Sequence, residues 1–113
     1  MNSRKAAVQN YKERKLARGI FAVRCQATGS VWVDSAMDLD AAKNRVWFCL
    51  RHVDPQMEPS IFAEYNAHGV EAFSYQVLEK LDDDLVALAV RDSLKARKLH
   101  WKEQLNARML WPV

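Results

Sequence analysis

Gly19-Ile20-Phe21-Ala22-Val23-Arg24-Cys25, then Ala27-Thr28-Gly29-Ser30, then Val31-Trp32-Val33-Asp34-Ser35 is the stretch on which the fold turns. Two runs rich in β-branched and aromatic residues flank a short glycine-containing segment, the pattern of an antiparallel hairpin. Upstream, residues 1–18 are rich in Lys, Arg and Ala and read as a basic N-terminal arm or short helix. Gly19 supplies the break, so that the folded domain spans residues 19–113.

Downstream of the hairpin, Asp38 or Asp40 can cap a helix through Ala41, Ala42, Val46, Trp47 and Leu50. Its apolar residues recur at three- and four-residue steps, which gives one buried face. Asp54-Pro55-Gln56-Met57-Glu58-Pro59 interrupts that pattern. Pro59 suits the first turn of a second helix, from Ser60 to about Ala67, closed by His68-Gly69. Residues 72–81 read as a third strand, with Phe73, Tyr75 and Val77 alternating against Ser74, Gln76 and Leu78. Asp82-Asp83-Asp84 then caps a long helix running through Leu85, Leu88, Leu94 and Trp101 toward Asn106. The expected order is β-β-α-α-β-α, an α+β fold with a small three-stranded antiparallel sheet flanked by helices.

Composition bounds what such a domain can be. Of 113 residues, 50% are hydrophobic and 27% charged, with three glycines and three prolines, which excludes disordered and collagen-like chains. No run approaches the length of a membrane span. Cys25 and Cys49 lack CxxC partners, so a zinc ribbon or finger is excluded by ligand count. The first 18 residues do not resemble a secretory signal, so reduced thiols and a cytoplasmic setting are expected. The net charge of +3 hides an asymmetry: residues 1–18 carry six bases against Glu13 alone, and residues 91–108 carry six against Asp92 and Glu103. Two basic ends around an acidic middle favour a polyanionic partner if they share a side of the domain, and otherwise serve only as solvated helices.

Taken in order, these motifs resemble the GIY-YIG nucleases. Gly19-Ile20-Phe21 stands for the G-I-Y strand, and Val31-Trp32-Val33-Asp34-Ser35 for the Y-I-G strand. Tyr65-Asn66-Ala67-His68-Gly69 and Ala72-Phe73-Ser74-Tyr75-Gln76-Val77-Leu78-Glu79 match the middle of that family, and Arg91-Asp92 and Trp101 fall in its closing helix. The resemblance covers residues 19–105 and implies a nuclease fold acting on DNA. In that family a tyrosine, an arginine, a glutamate and one divalent cation converge on the scissile phosphate. The cation acts as a Lewis acid, the arginine stabilises phosphate charge and the phenol handles the attacking water.

The same comparison exposes departures. Phe21 and Trp32 occupy the two tyrosine positions, and neither can act as a base; core packing is the alternative role for both. Asp34 replaces the glycine, setting a carboxylate where phosphate would approach. The family arginine falls on Ala42 when counted without gaps, or on Arg45 after a short insertion; Arg45 is the candidate. Counted from the third strand, the metal-binding glutamate falls on Asp92, a hard oxygen ligand for Mg or Mn. Counted backward from Trp101 it falls on Lys98, which cannot bind a cation. The catalytic candidates are thus Arg45, Asp92, Phe21 and Trp32, with Asp92 the metal ligand. The nucleic-acid candidates are Lys12, Arg14, Lys15, Arg18, Arg24, Arg51, Lys95 and Lys98. Two functions follow: a metal-dependent endonuclease acting on double- or single-stranded DNA, or a degenerate relative that binds nucleic acid or a protein partner without cutting.

Overall fold

The computed structural model describes residues 17–82 and 85–112. The expected basic arm lies outside these, apart from Ala17 and Arg18, and so do its candidates Lys12, Arg14 and Lys15. The chain runs β1 (Gly19–Cys25), β2 (Val31–Ala36), α1 (Leu39–His52), α2 (Pro59–His68), a 3-10 turn (Val70–Ala72), β3 (Phe73–Lys80), α3 (Ala87–Gln104) and β4 (Arg108–Met109). The sheet order is β3-β1-β2-β4. Both neighbours of β1 are antiparallel to it, whereas β4 runs parallel to β2.

The expected hairpin forms with Phe21 opposite Asp34 and Val23 opposite Trp32. Its first strand is central and covered on both sides, which explains the unbroken apolar run from Gly19 to Val23. Phe21, Val23 and Cys25 belong to a core shared with α1 and α2, while Ile20 packs with Val90 and Leu94 of α3. The sheet thus separates two helical layers.

Three expectations need correction. The sheet has four strands and is mixed, not three and antiparallel. Two residues are too few to show alternation, and β4 pairs only because the chain leaving α3 returns along the free edge of β2. Gly19 is not a break but the first residue of β1. A side chain there would put its Cβ 1.9 Å from the Glu79 carbonyl oxygen. Finally, α3 starts at Ala87 with Val86 at its N-cap and no side-chain cap among the described residues, so Asp82 does not fill that place, while Asp83 and Asp84 lie outside the described residues. The other boundaries agree more closely: Asp38, not Asp40, caps α1, with its carboxylate accepting from the backbone N–H groups of Asp40 and Ala41. Pro59 opens α2, and Gly69 (φ 79°) closes it as expected.

Candidate functional site

One cleft, of about 760 Å³, lies where five parts of the chain meet, the α1–α2 connection contributing Gln56. The end of β2 and the loop after it contribute Asp34, Ser35, Ala36, Met37 and Asp38; α1 contributes Ala42 and Arg45, α3 Lys98, and the C-terminal segment Trp111.

Asp34 forms its floor. Only 5% exposed, it is the buried charged residue of the described core. Its Oδ1 accepts from the Ser35 backbone N–H at 2.8 Å and pairs with the Lys98 ammonium at 3.5 Å. Its Oδ2 accepts from the Trp111 backbone N–H at 2.9 Å. A buried carboxylate persists only with such compensation. The carboxylate expected to repel phosphate is therefore already neutralised from three directions.

Arg45 also lines the cleft, its guanidinium 4.5 Å from the centre of the Trp111 ring. Helical geometry puts Ala42 and Arg45 one turn apart on one face, so both counts of the family arginine end in this cleft. No described carboxylate lies within ion-pair distance of Arg45, although its charge helps hold Asp54 below the usual carboxylate range. There the hydrogen bond from the Gln56 backbone N–H is the larger cause, followed by that from the Cys49 thiol. Burial, helped by the Asp54 contact, pushes the Cys49 thiol up, which leaves it protonated and donating to Asp54.

The two tyrosine-position residues are elsewhere. Phe21 is fully buried, stacked on Tyr75 at 5.1 Å and edge-on to Trp111 at 6.0 Å. Trp32 is equally buried, and its indole N–H is consumed by the Ser60 hydroxyl at 3.0 Å. Neither lines the cleft. The nearest substitute for a missing phenol is Tyr75, whose hydroxyl donates to the Leu39 carbonyl. Burial, assisted by Asp40 and Asp38, pushes its pKa up to about 12, so it is no base at neutral pH.

Asp92 is exposed on α3 and does not line the cleft. At about 100° per residue, it points about 120° away from Lys98, whereas Arg91, Lys95 and Lys102 share an arc of about 60° with Lys98. The helix thus carries a basic stripe about 16 Å long that leads to the cleft. The remaining candidates are dispersed. Arg24 donates to Gln76 from β1, Arg51 is exposed in the last turn of α1, and Arg18 donates to the Asp82 carbonyl. Two features of the cleft were not legible in the sequence. Trp111 follows a two-residue strand with no periodicity to betray it, and the Asp34–Lys98 pair joins residues 64 positions apart.

A divalent cation would need several hard oxygens free of other duties. Both Asp34 oxygens are committed, and Asp38 is the cap of α1. Among the described residues no group of three or more His, Cys, Asp or Glu could hold a metal. The donor set of the cleft does not fit magnesium or manganese. It does offer hydrogen-bond donors, since an ammonium has three N–H groups and a guanidinium five. The Trp111 indole N–H, buried in the same wall, has no protein acceptor.

The fold itself has counterparts. The catalytic domain of the homing endonuclease I-TevI matches with a TM-score of 0.65 and 23% identity, over 79% of this chain and 88% of that one. A glutamate-to-alanine mutant of the same catalytic domain matches with a TM-score of 0.67 and 22% identity, over 80% and 86%. No protein-family model matches the chain, and no curated protein does. The likeness establishes that this chain and that catalytic domain share an α+β fold, in keeping with the GIY-YIG resemblance.

Proposed function

We propose that the chain is a DNA-binding protein on a nuclease fold that holds the sugar–phosphate backbone without cutting it. One observation carries this reading: Arg45 and Lys98 line one cleft, and Lys98 belongs to the basic stripe of α3. Phosphate contacts from Lys and Arg supply most sequence-independent affinity for DNA, and a stripe of this length spans two or three successive phosphates. The basic arm, with Lys12, Arg14 and Lys15, adds further backbone contacts.

The endonuclease reading has less behind it. It needs a phenol and a metal-binding carboxylate at the phosphate, while Phe21 and Trp32 have no hydroxyl and Asp92 stands outside the cleft. A cytoplasmic setting suits the binding reading, because Cys25 and Cys49 are both free and buried. No helix of the described residues is long and apolar enough to cross a membrane.

The test is fluorescence anisotropy with labelled single- and double-stranded oligonucleotides at several salt concentrations, alongside incubation with manganese. Salt-sensitive binding with the DNA left intact is expected. Cleavage abolished by Asp92→Ala would return the chain to the endonucleases, and absence of affinity at low salt would leave a protein-interaction role.

A further inference from the structure

We infer that the Lys98 ammonium occupies the place a divalent cation would take, so that the cleft binds a phosphodiester with no metal at all. This inference rests on the phosphate-binding reading above and adds how the anion is held.

The argument begins with charge. Asp34, Asp38, Arg45 and Lys98 line the cleft, two of each sign. The Asp34 carboxylate is spent internally, taking two backbone N–H groups as well as Lys98. Asp38 is engaged through one oxygen, Oδ1, which takes two N–H groups at the start of α1. The cations are only partly spent. Lys98 directs one contact to Asp34, with its side chain 23% exposed, which leaves N–H groups for a ligand. Arg45 lies against the Trp111 ring and beside the Cys49 thiol, with no carboxylate partner among the described residues, and its five N–H donors exceed what these contacts use.

Next comes position. In the GIY-YIG resemblance, the metal-ligand position of the closing helix, counted back from Trp101, falls on Lys98, and the ribbon carries Asp34 where the family has glycine. Lys98 comes from that closing helix and reaches the ribbon carboxylate directly, so one fixed positive charge already bridges the two elements. A cation added beside it would meet like charge and no unengaged carboxylate on Asp34. The anion is therefore cradled by fixed protein charges and needs no ion exchange with solvent.

The experiment measures two things on the whole protein. Oligonucleotide affinity is followed by anisotropy in EDTA and in manganese, and manganese binding by electron paramagnetic resonance. Equal affinity in the two buffers, with no manganese bound by the wild type, is expected. DNA binding that appears only with manganese, or stoichiometric manganese on the wild type, overturns the inference yet preserves DNA binding as the function. Absence of DNA binding in either buffer removes the function, and the inference with it.

Two variants sharpen the result. Lys98→Gln is expected to weaken DNA binding about tenfold and reduce the salt slope by about one. Unchanged affinity and slope would overturn the inference. Lys98→Glu places a second carboxylate beside Asp34 and is expected to acquire a manganese site. A Lys98→Glu protein shown to be folded by near-ultraviolet circular dichroism, yet with no bound manganese, would mean that Lys98 does not stand where a cation would.

Discussion

Trp32 and Asp34 are two residues apart on β2, both essentially buried, and each has its polar atoms satisfied in a different way. Trp32 turns inward, stacked near Phe73 at 6.1 Å, with its single donor closed off by Ser60. Asp34 faces a cleft and is satisfied partly by a charged side chain that solvent can reach. One end of the strand has become core; the other has kept an exchangeable partner. Burial alone therefore does not separate structural residues from functional ones. What separates them is whether a partner could be shared with a ligand.

The widest gap between the two ends should come from truncating the tryptophan. Trp32→Ala removes the largest fully buried side chain and leaves the Ser60 hydroxyl without its donor. A loss of about 3–5 kcal/mol is expected in urea unfolding, enough to unfold a marginal domain. Asp34→Ala should cost about 1–3 kcal/mol, because it strands two hydrogen-bonding groups that water can partly reclaim. It should also leave Lys98 freer to meet phosphate, so that the surviving folded fraction binds DNA at least as tightly as wild type. A greater stability loss at Asp34 than at Trp32 would reverse the comparison.

Arg45→Ala tests the cleft with almost no structural cost. The side chain is exposed, so thermal stability should shift by less than about 1 kcal/mol, while DNA affinity falls about tenfold in anisotropy titrations. Glu79 gives the weakest contrast, a carboxylate with partners on α3 as Asp34 has, but more open. Its side chain is 28% exposed against 8% for Asp34. Burial alone would raise its pKa, but hydrogen bonds from Trp101 and Arg97 outweigh it and hold the group below its ordinary value of 4.5. The unfolded chain then binds the proton first, so the contribution to stability is intact above pH 4.5 and is lost as the pH falls through the lowered folded value. Glu79→Gln should flatten that acid limb in unfolding measured from pH 6 to pH 3 (about 1 kcal/mol or less, given the exposure).

Much of the fold could be read from the chain because its signals were local. The hairpin came from β-rich runs around Gly29, α1 from apolar spacing behind Asp38, and α2 from Pro59 and Gly69. β4 was invisible, since it is two residues long and exists only through the edge it joins. The site divided along the same line. Helical register carried Arg45 to the cleft, because α1 is continuous between the two possible counts. The metal carboxylate was ambiguous because the counts run in from opposite ends, from β3 across the connection into α3 or back from Trp101. Only the placement of α3 against β2 shows that Lys98, not Asp92, lines the cleft. Trp111 could be assigned no role until the tail was seen to fold back and give its backbone N–H to Asp34.

The crowding at Gly19 separates what the fold demands from what chemistry would demand. Because a methyl group there would collide with the main chain of β3, this glycine is demanded by how closely the paired strands β1 and β3 approach beside their register shift, whatever chemistry takes place nearby. A polypeptide stripped of every reactive group would still have to keep it. The letter that most advertises a nuclease in this chain is thus a mark of architecture, and says nothing about whether the scissors are sharp.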